Sequence, residues 1–577
     1  MGKHSMEERM GKKCRKIFFS TAGVVLMALF SSLASAASIL GEDWEKFFKE
    51  KISFGGFIEN TSGVSVSHGS HFFNTSNRFI MERFTIQPEF NVDMAEWAKF
   101  FISWRFVKEP RYSAEAKSRE ASVTYFPPQP VRPLKNSFYD EYSPKPWEAV
   151  LDVSPTDRLK LRIGRQFISW GETDGFRLLD VINPQDLRFS PPAAPNLFNL
   201  DESRIPSWGL RMLYTVRPVS NTILEFFALP GSLDEAKERV DEFMGANDTT
   251  DRKVRYGRWS AHPETRLMLA GRNAFGNLLA SPIIGPGCFT MNPATCVILP
   301  TTSRELPDAG DSWKIGTRVT HAIGKLNFGF GYIWGFNPQA SDMVFKLKST
   351  RLIQCPGTAP PVPPLCTQAF ASLVNDRTNI FAGHFNYTVD QLATIPVNTA
   401  IRGEMAFYPS QPYNISQYPG LFGLKASANP KYPDGIVEKN TLRYALGFDR
   451  STLIPFLQDD PWRPFRMSFQ IFQRIIFDHE NGIHPFSSAE QIKTVTTNFT
   501  FRVSTGYLGD TILPDVFLSY DPAGYWSANP AVTYAPPWNE KISLSLIGAF
   551  YGGHNKFANL GLFSEKDSIF LKMRYQF

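Results

Sequence analysis

The chain has 577 residues, a formal charge of +6, and 50 Phe, 19 Tyr and 12 Trp, yet its mean hydropathy is only −0.22. That many aromatic residues in a chain of near-neutral hydropathy argue against a solid-cored soluble domain and for a lipid-facing band beside a polar interior. The charge gives no support to a nucleic-acid partner, because most of it sits in the first sixteen residues.

Residues 1–36 read as a secretory signal peptide. Lys3, Arg9, Lys12, Lys13, Arg15 and Lys16 precede an apolar run from Ile17 to Leu33, and Ala34-Ser35-Ala36 offers a small-x-small cleavage site. Cys14 lies ahead of the apolar run, where a lipobox cysteine does not. Removal of the segment lowers the formal charge to about +2. No later stretch approaches the roughly 18 consecutive apolar residues of a spanning helix, so the exported chain is expected to cross a membrane by strands. Residues 37–51, with Trp44, Phe47 and Phe48, are expected to form a short periplasmic segment, helical over 38–51.

From residue 52 to the end, side-chain character alternates with period two. Leu159, Leu161 and Ile163 oppose Lys160, Arg162, Gly164 and Gln166. Trp208, Leu210, Met212, Tyr214 and Val216 share one face. Leu326, Phe328, Phe330, Tyr332 and Trp334 oppose Asn327, Gly329 and Gly331, with Ile333 the one exception. Met467, Phe469 and Ile471 oppose Arg466, Ser468 and Gln470, and Val495, Thr497, Phe499, Phe501 and Val503 share a face. About eighteen strands are expected, starting near 52, 79, 98, 147, 158, 207, 222, 311, 325, 379, 397, 440, 465, 493, 511, 527, 541 and 568. Sixteen is the alternative, because the strands at 222 and 527 are weak.

Connections alternate in length. Short turns lie at 154–157, 217–221, 321–324 and 390–396, and long segments at 108–146, 169–206, 229–310, 335–378 and 409–437. Barrels in outer membranes have short periplasmic turns and long extracellular loops. With eighteen strands both ends fall on the periplasmic side. The fold expected is therefore all-β: one transmembrane antiparallel β-barrel over 52–577.

Cys288, Cys296, Cys355 and Cys366 form two close pairs in Gly/Pro/Thr-rich segments. In an oxidising compartment they point to disulfides 288–296 and 355–366, of three possible connectivities. A four-thiolate metal site is the alternative. The spacings of eight and eleven suit loop closure better than zinc chelation, so no metal and no cofactor is expected.

The last ten residues alternate Ile569, Leu571, Met573, Tyr575 and Phe577 against Ser568, Phe570, Lys572, Arg574 and Gln576. A chain that stops on an aromatic residue after such a strand resembles an outer-membrane barrel, with Tyr575 and Phe577 as the insertion signal read by the barrel-assembly machinery.

Leu159 to Leu187 carries G-R-Q, then W-G-E, then V-I-N-P-x-D-L. This run, with W-E-A-V-L-D-V from Trp147 and the terminal strand, resembles a proteobacterial outer-membrane family of unknown function, numbered thirteen-hundred-two. The G-R-Q element is also similar to that of substrate-specific porins. One departure is F-R-L-L-D after Gly175, where a more glycine-rich turn is expected. The resemblance implies a barrel in the outer membrane of a Gram-negative bacterium and association with exporters of the resistance-nodulation-division type and with lipid-binding periplasmic proteins. It implies no settled substrate. The residues themselves suggest a constriction: Phe176, Leu178, Leu179, Val181 and Ile182 are too apolar for a solvated loop, so 169–206 is expected to fold into the lumen, carrying Trp170, Glu172, Asp174, Asn183, Asp186 and Arg188. Packing on the outer rim is the alternative.

Inward positions under this register hold Arg83, Arg105, Arg162, Arg211, Arg318, Arg402, Arg443, Arg466, Arg474, Arg502 and Arg574, besides Lys99, Lys160, Lys314 and Lys572. Inward acids are fewer: Glu89, Glu148, Asp152, Glu225, Glu404 and Asp515. A basic pore attracts anions; alternatively these arginines pair with lumen acids, Arg402 with Glu404 for example, and brace the wall. Enzyme motifs are absent: no G-x-S-x-G, H-E-x-x-H, P-loop or G-x-G-x-x-G occurs. Asp478-His479-Glu480 has no serine placed beside it, and His68 and His71 lie in the first loop. The function expected is a porin-like channel for small anionic, amphipathic or hydrophobic solutes. A non-conducting outer-membrane partner of an export system and a barrel hydrolase are the alternatives.

Overall fold

A strand that faces lipid must find partners for every backbone N–H and C=O within the protein, and a sheet does so completely only by closing on itself. In the computed structural model the final strand returns to the first: Phe57 lies opposite Gln576, and the pairing runs to Ser65 opposite Ser568. The structure describes residues 50–66, 79–108, 141–142, 146–184, 193–197, 202, 204–216, 221–231, 283–284, 297–305, 311–336, 344–354, 365–374, 376–392, 395–415, 431–457, 460, 462–484, 491–554, 559–563 and 567–577.

Eighteen antiparallel strands form the ring. The first six are β1 (Ile52–Ser65), β2 (Phe79–Ala95), β3 (Ala98–Ser103, resuming at Phe106–Lys108), β4 (Glu148–Thr156), β5 (Leu159–Gln166) and β6 (Ser207–Thr215). Next come β7 (Thr222–Leu229), β8 (Lys314–Ile323), β9 (Leu326–Phe336), β10 (Arg377–Leu392), β11 (Ile395–Ile415) and β12 (Ile436–Thr452). The ring ends with β13 (Phe465–Ile476), β14 (Val495–Ser504), β15 (Ile512–Asp521), β16 (Tyr525–Tyr534), β17 (Ile542–Gly553) and β18 (Ser568–Gln576). The two weak strands, at 222 and near 527, are both present as β7 and β16, so the count is eighteen and not sixteen.

Large apolar side chains stand exposed on alternate positions: Phe330 on β9, Phe381 on β10, Met405 on β11, Phe469 on β13, and Leu571, Met573 and Tyr575 on β18. Their neighbours in sequence are polar or buried. Water does not tolerate such a continuous band, whereas hydrocarbon does. The molecule is a membrane-spanning β-barrel whose outer face meets lipid. Turns at one end are tight, as at Glu96-Trp97, Asp157-Arg158 and Gly324-Lys325, where Gly324 takes φ +57°. The opposite end carries the long segments, with one tight turn among them at Asp521–Gly524.

The segments 229–310 and 335–378 are more than loops. Ile283–Ile284, Val297–Glu305, Val344–Gln354 and Leu365–Val374 make a separate four-stranded sheet, in which Val297–Glu305 runs parallel to Leu365–Val374. Its strands do not alternate over the length a bilayer requires, which is why they read as loop. Cys366 lies on Leu365–Val374 opposite Ile353. Cys288, Cys296 and Cys355 lie outside the described residues, and with them the pairings 288–296 and 355–366. The signal peptide and the 37–51 segment also lie outside, save Glu50 and Lys51.

Lipid and lumen faces should respond differently to charge. Phe330→Arg is expected to destabilise the barrel by about 2 kcal/mol in urea titrations in lipid vesicles. Asn386→Arg, on the inward face of β10, is expected to cost under about 1 kcal/mol in the same titration.

Candidate functional site

Between β5 and β6 the chain does not turn back at once. Gln166, fully buried at the end of β5, donates its side-chain amide to Gly209 O (3.0 Å) and Arg162 O (3.1 Å). Asn183 then ties the segment to itself: it accepts from Ile168 N–H (2.7 Å) and donates to Gln166 O and Ile205 O (3.1 Å each). Asp180 takes two guanidinium groups, Arg177 at 3.0 Å and Arg204 at 2.5 Å. These contacts make residues 167–184 a compact first lobe. Most polar atoms of this cluster are met, Gln166 Oε1 and Asp180 Oδ1 being exceptions among the described residues; a buried group left unmet costs about 1–3 kcal/mol.

The first lobe packs on the inner wall. Ile168, Trp170, Leu178, Leu179, Val181 and Ile182 are buried against Phe227 of β7, Ile333 of β9, Ile380 and Ala382 of β10, Tyr408 of β11 and Phe472 of β13. These wall residues alternate with the exposed Leu224, Phe330, Phe381, Met405 and Phe469, so the lobe lies on the face opposite the lipid. Ile333, the exception in its strand's alternation, is therefore a contact for the lobe. Trp170 meets Phe227 edge-on at 5.3 Å between centroids, under the Arg318 guanidinium at 5.1 Å. Gly331 leaves it room: a Cβ there would sit 2.9 Å from the indole. Gly175 takes φ +83°, and a Cβ would fall 2.4 Å from Phe517. Phe176 crosses Phe472 at 5.4 Å. Each buried side chain of this size contributes about 1.5–3 kcal/mol.

Polar groups then fix the lobe's tip. Glu404 of β11 accepts from Glu172 N–H with one oxygen and from Leu179 N–H (3.3 Å) with the other. Arg402, two positions earlier on the same face, pairs with Asp174 (2.5 Å) and with Asp449 of β12 (2.7 Å), and donates to Glu172 O. Gln470 of β13 accepts from Asp174 N–H (3.1 Å) and donates to its carboxylate (2.9 Å). Lys314 of β8, buried, donates to Ile182 O (3.2 Å) and Val181 O (2.5 Å).

A second lobe reaches the other side of the ring. Ala194 and Leu197 are buried with Met81, Ile547, Ala549 and Phe570, on β2, β17 and β18. Asn196 exchanges hydrogen bonds with Asn529 of β16, at 2.8 and 2.7 Å. Lys572 donates to Leu197 O (3.1 Å), and Arg105 donates to Glu202 O (2.7 Å). Glu202 and the buried Glu59 of β1 share Lys572 and Arg574. The segment thus touches walls on both sides of the lumen. Asp186 and Arg188 lie outside the described residues.

The inward arginines are largely engaged. Arg162 pairs with Asp152 (2.7 Å), Arg502 with Asp515 (2.6 Å), and Arg211 and Arg318 share Glu225 (2.7 and 2.6 Å). Arg443 lies over Tyr408 at 4.3 Å and directly opposite Arg474, which donates to Thr496 (3.3 Å). Arg83 is buried and Arg466 exposed. Arg402 pairs with Asp174 and Asp449, not with Glu404, whose oxygens are taken by amides. Strand alternation did reach Glu59 and Asp449, both missing from the inward acids. The carboxylates of the loop, Asp174, Asp180 and Glu202, have no period to reveal them. At the terminus, Phe577 donates its N–H to Gly56 O (3.1 Å) and stacks on Phe54 at 5.2 Å, while Tyr575 faces lipid.

The Asp478-His479-Glu480 triplet braces the loop that follows β13. A His479 ring nitrogen contacts Ile492 O (2.7 Å), and Asp478 takes φ +50°. Glu480 accepts from Lys439 (2.8 Å), Tyr432 and Lys431 (2.9 Å), and these hydrogen bonds hold its carboxyl down at about 2 against the ordinary 4.5. A carboxyl depressed on folding stabilises above its unfolded value and loses that contribution as pH falls from about 4.5 toward 2. Amide exchange protection at residues 478–484, corrected for intrinsic rate, is expected to drop between pH 6 and pH 3, a drop that Glu480→Gln abolishes. At the tip of the first lobe, Glu404→Ala is expected to raise protease cleavage between residues 172 and 179 by about tenfold, the equivalent of roughly 1.4 kcal/mol from two unmet amides.

No curated protein matches the chain. Among solved structures it is similar to OccAB4 of Acinetobacter baumannii, at 7% identity and TM-score 0.43, covering 91% of this chain and 98% of that one. It is also similar to OpdL of Pseudomonas aeruginosa, at 9% identity and TM-score 0.40 with the same coverage. The model of a family described as "Protein of unknown function (DUF1302)" matches residues 17–577, nearly the whole length, and the chain belongs to that family.

Proposed function

We propose that this protein is an outer-membrane channel for small water-borne solutes, narrowed by the 167–206 segment and favouring anions modestly. The observation that carries the reading is the chemistry of the seat: the tip of the first lobe is held by ion pairs and amide contacts that face a polar lumen, among Arg402, Glu404, Asp449 and Gln470. A constriction of this kind passes small solutes and excludes large ones. Paired arginines leave little net field, because Arg162–Asp152 and Arg502–Asp515 are neutral. Glu225 serves two arginines and Arg402 two carboxylates, which offset one another. Lysines and arginines at inward positions still outnumber the acids there, and this positive bias attracts anions, with low-dielectric walls sharpening it.

A second reading, a non-conducting barrel that docks a periplasmic protein, is favoured by one observation. Three consecutive periplasmic turns carry Phe456, Trp462, Leu508 and Trp538, exposed at 73–87%. Arg463 holds two of these turns together through Asp460 (2.5 Å) and Asp510 (2.9 Å). Single-channel recording separates the two readings. The channel is expected to carry a small steady current, and Arg402→Ala to raise it about twofold by freeing the lobe. Silent insertion into bilayers, with Arg402→Ala equally silent, sinks the channel. Cation preference in reversal potentials removes the anion bias alone.

A further inference from the structure

The first lobe places one of the chain's own carboxylates in a socket on the lumen wall. Asp174 Oδ2 accepts from Arg402 Nη2 at 2.5 Å and from Gln470 Nε2 at 2.9 Å. The donors have other partners besides it. Asp449 sits against the same guanidinium, with Oδ2 2.7 Å from Nε and Oδ1 accepting from Nη2 at 3.1 Å; Ser468 Oγ accepts from Nη2 at 3.2 Å, and Gln470 Nε2 also reaches Ser468 Oγ at 3.2 Å. Two converging donors, one of them a guanidinium, recognise a carboxylate with charge-assisted bonds and offer far less to a neutral group. The occupant is less firmly seated than the socket: the Asp174 side chain is 40% exposed, that of Arg402 14%.

We propose that the socket formed by Arg402, Gln470 and Ser468 is a binding site for small monocarboxylates, with Asp174 as a built-in competitor. The solute replaces Asp174 as a carboxylate partner of Arg402, so the charge in contact with the guanidinium is unchanged, while the displaced Asp174, already 40% exposed, passes to water. The neighbouring acids stay occupied: Glu404 by two amides, Glu172 by the Asn386 amide at 3.4 Å, and Asp449 by Arg402. A tethered group competes at an effective concentration on the order of millimolar or above, so a free solute must bind weakly and exchange fast, as transport demands. Departure of Asp174 frees the lobe's tip where the solute has arrived. The role of the site in passage rests on the channel reading; the binding itself does not.

Calorimetric titration of the detergent-purified full chain with sodium benzoate tests the site, with neutral benzamide as the matched control. Asp174→Asn is expected to bind benzoate about tenfold more tightly than the wild type, through loss of the competitor. Arg402→Gln, in either background, is expected to abolish binding. A heat-shifted gel band verifies the closed barrel in each variant, and Ser468→Ala, expected to lose a few-fold, serves should Arg402→Gln not fold. Benzoate binding unaffected by Asp174→Asn, undetectable in that variant, or matched by benzamide overturns the proposal. A silent bilayer with intact benzoate binding removes the channel reading and leaves the site. Steady conductance without benzoate binding removes the site and leaves the channel.

Discussion

The ring closes only because β18 finds β1, and everything inside the molecule inherits its geometry from that seam. In hydrocarbon an unpaired peptide group has no water to turn to, so an open edge costs several kcal/mol per group. Closure fixes which face of each strand looks inward. The same alternation that lays Leu571 and Met573 against lipid brings Phe570, Lys572 and Arg574 into the lumen, where Phe570 packs on the second lobe's cluster and the two cations meet Glu59 and Glu202. A register slip of one residue would exchange the two sets.

Inside the ring, apolar and polar contacts divide the task. Six buried side chains of the first lobe press on β7 to β13 and supply most of its stabilisation. The ion pairs add less net free energy, because desolvation offsets much of their attraction. What they add is direction. Arg402 and Glu404, on one strand, grip the same short stretch from two positions, so the tip has one seat rather than many.

How much of this could be read from the sequence follows the same division. The barrel was legible because its rule is one-dimensional: period two, repeated, with short and long connections in turn. Even Ile333, which broke the pattern of its strand, marked the place where the wall meets the lobe. The lobe itself was legible only as an anomaly, five apolar residues where a solvated loop would be polar. Its partners were not, since no local spacing announces that Asp174 will meet Gln470 across 296 positions. The same limit explains Arg402, whose nearest acid in sequence is Glu404 but whose partners come from a loop and from the next strand. The small sheet built from Val297–Glu305 and its neighbours was missed for another reason: its three longer strands are as long as several in the ring but do not keep an apolar/polar alternation along that length, so the period-two rule passes over them.

The placement of the 167–206 segment early in the chain has a kinetic consequence. Its wall contacts are made with residues as much as 375 positions later, at Lys572. Phe227 and Met81 come early, but most of its seat, on β9 to β18, exists only once the C-terminal half has formed, and contacts of such sequence separation pay their loop-closure entropy before they return anything. The segment must therefore wait, largely unhoused, while the sheet is built around it. Seating it is a late step, and a chaperone that shields Leu178, Leu179, Val181 and Ile182 during that interval would govern the yield of finished barrels more than their final stability.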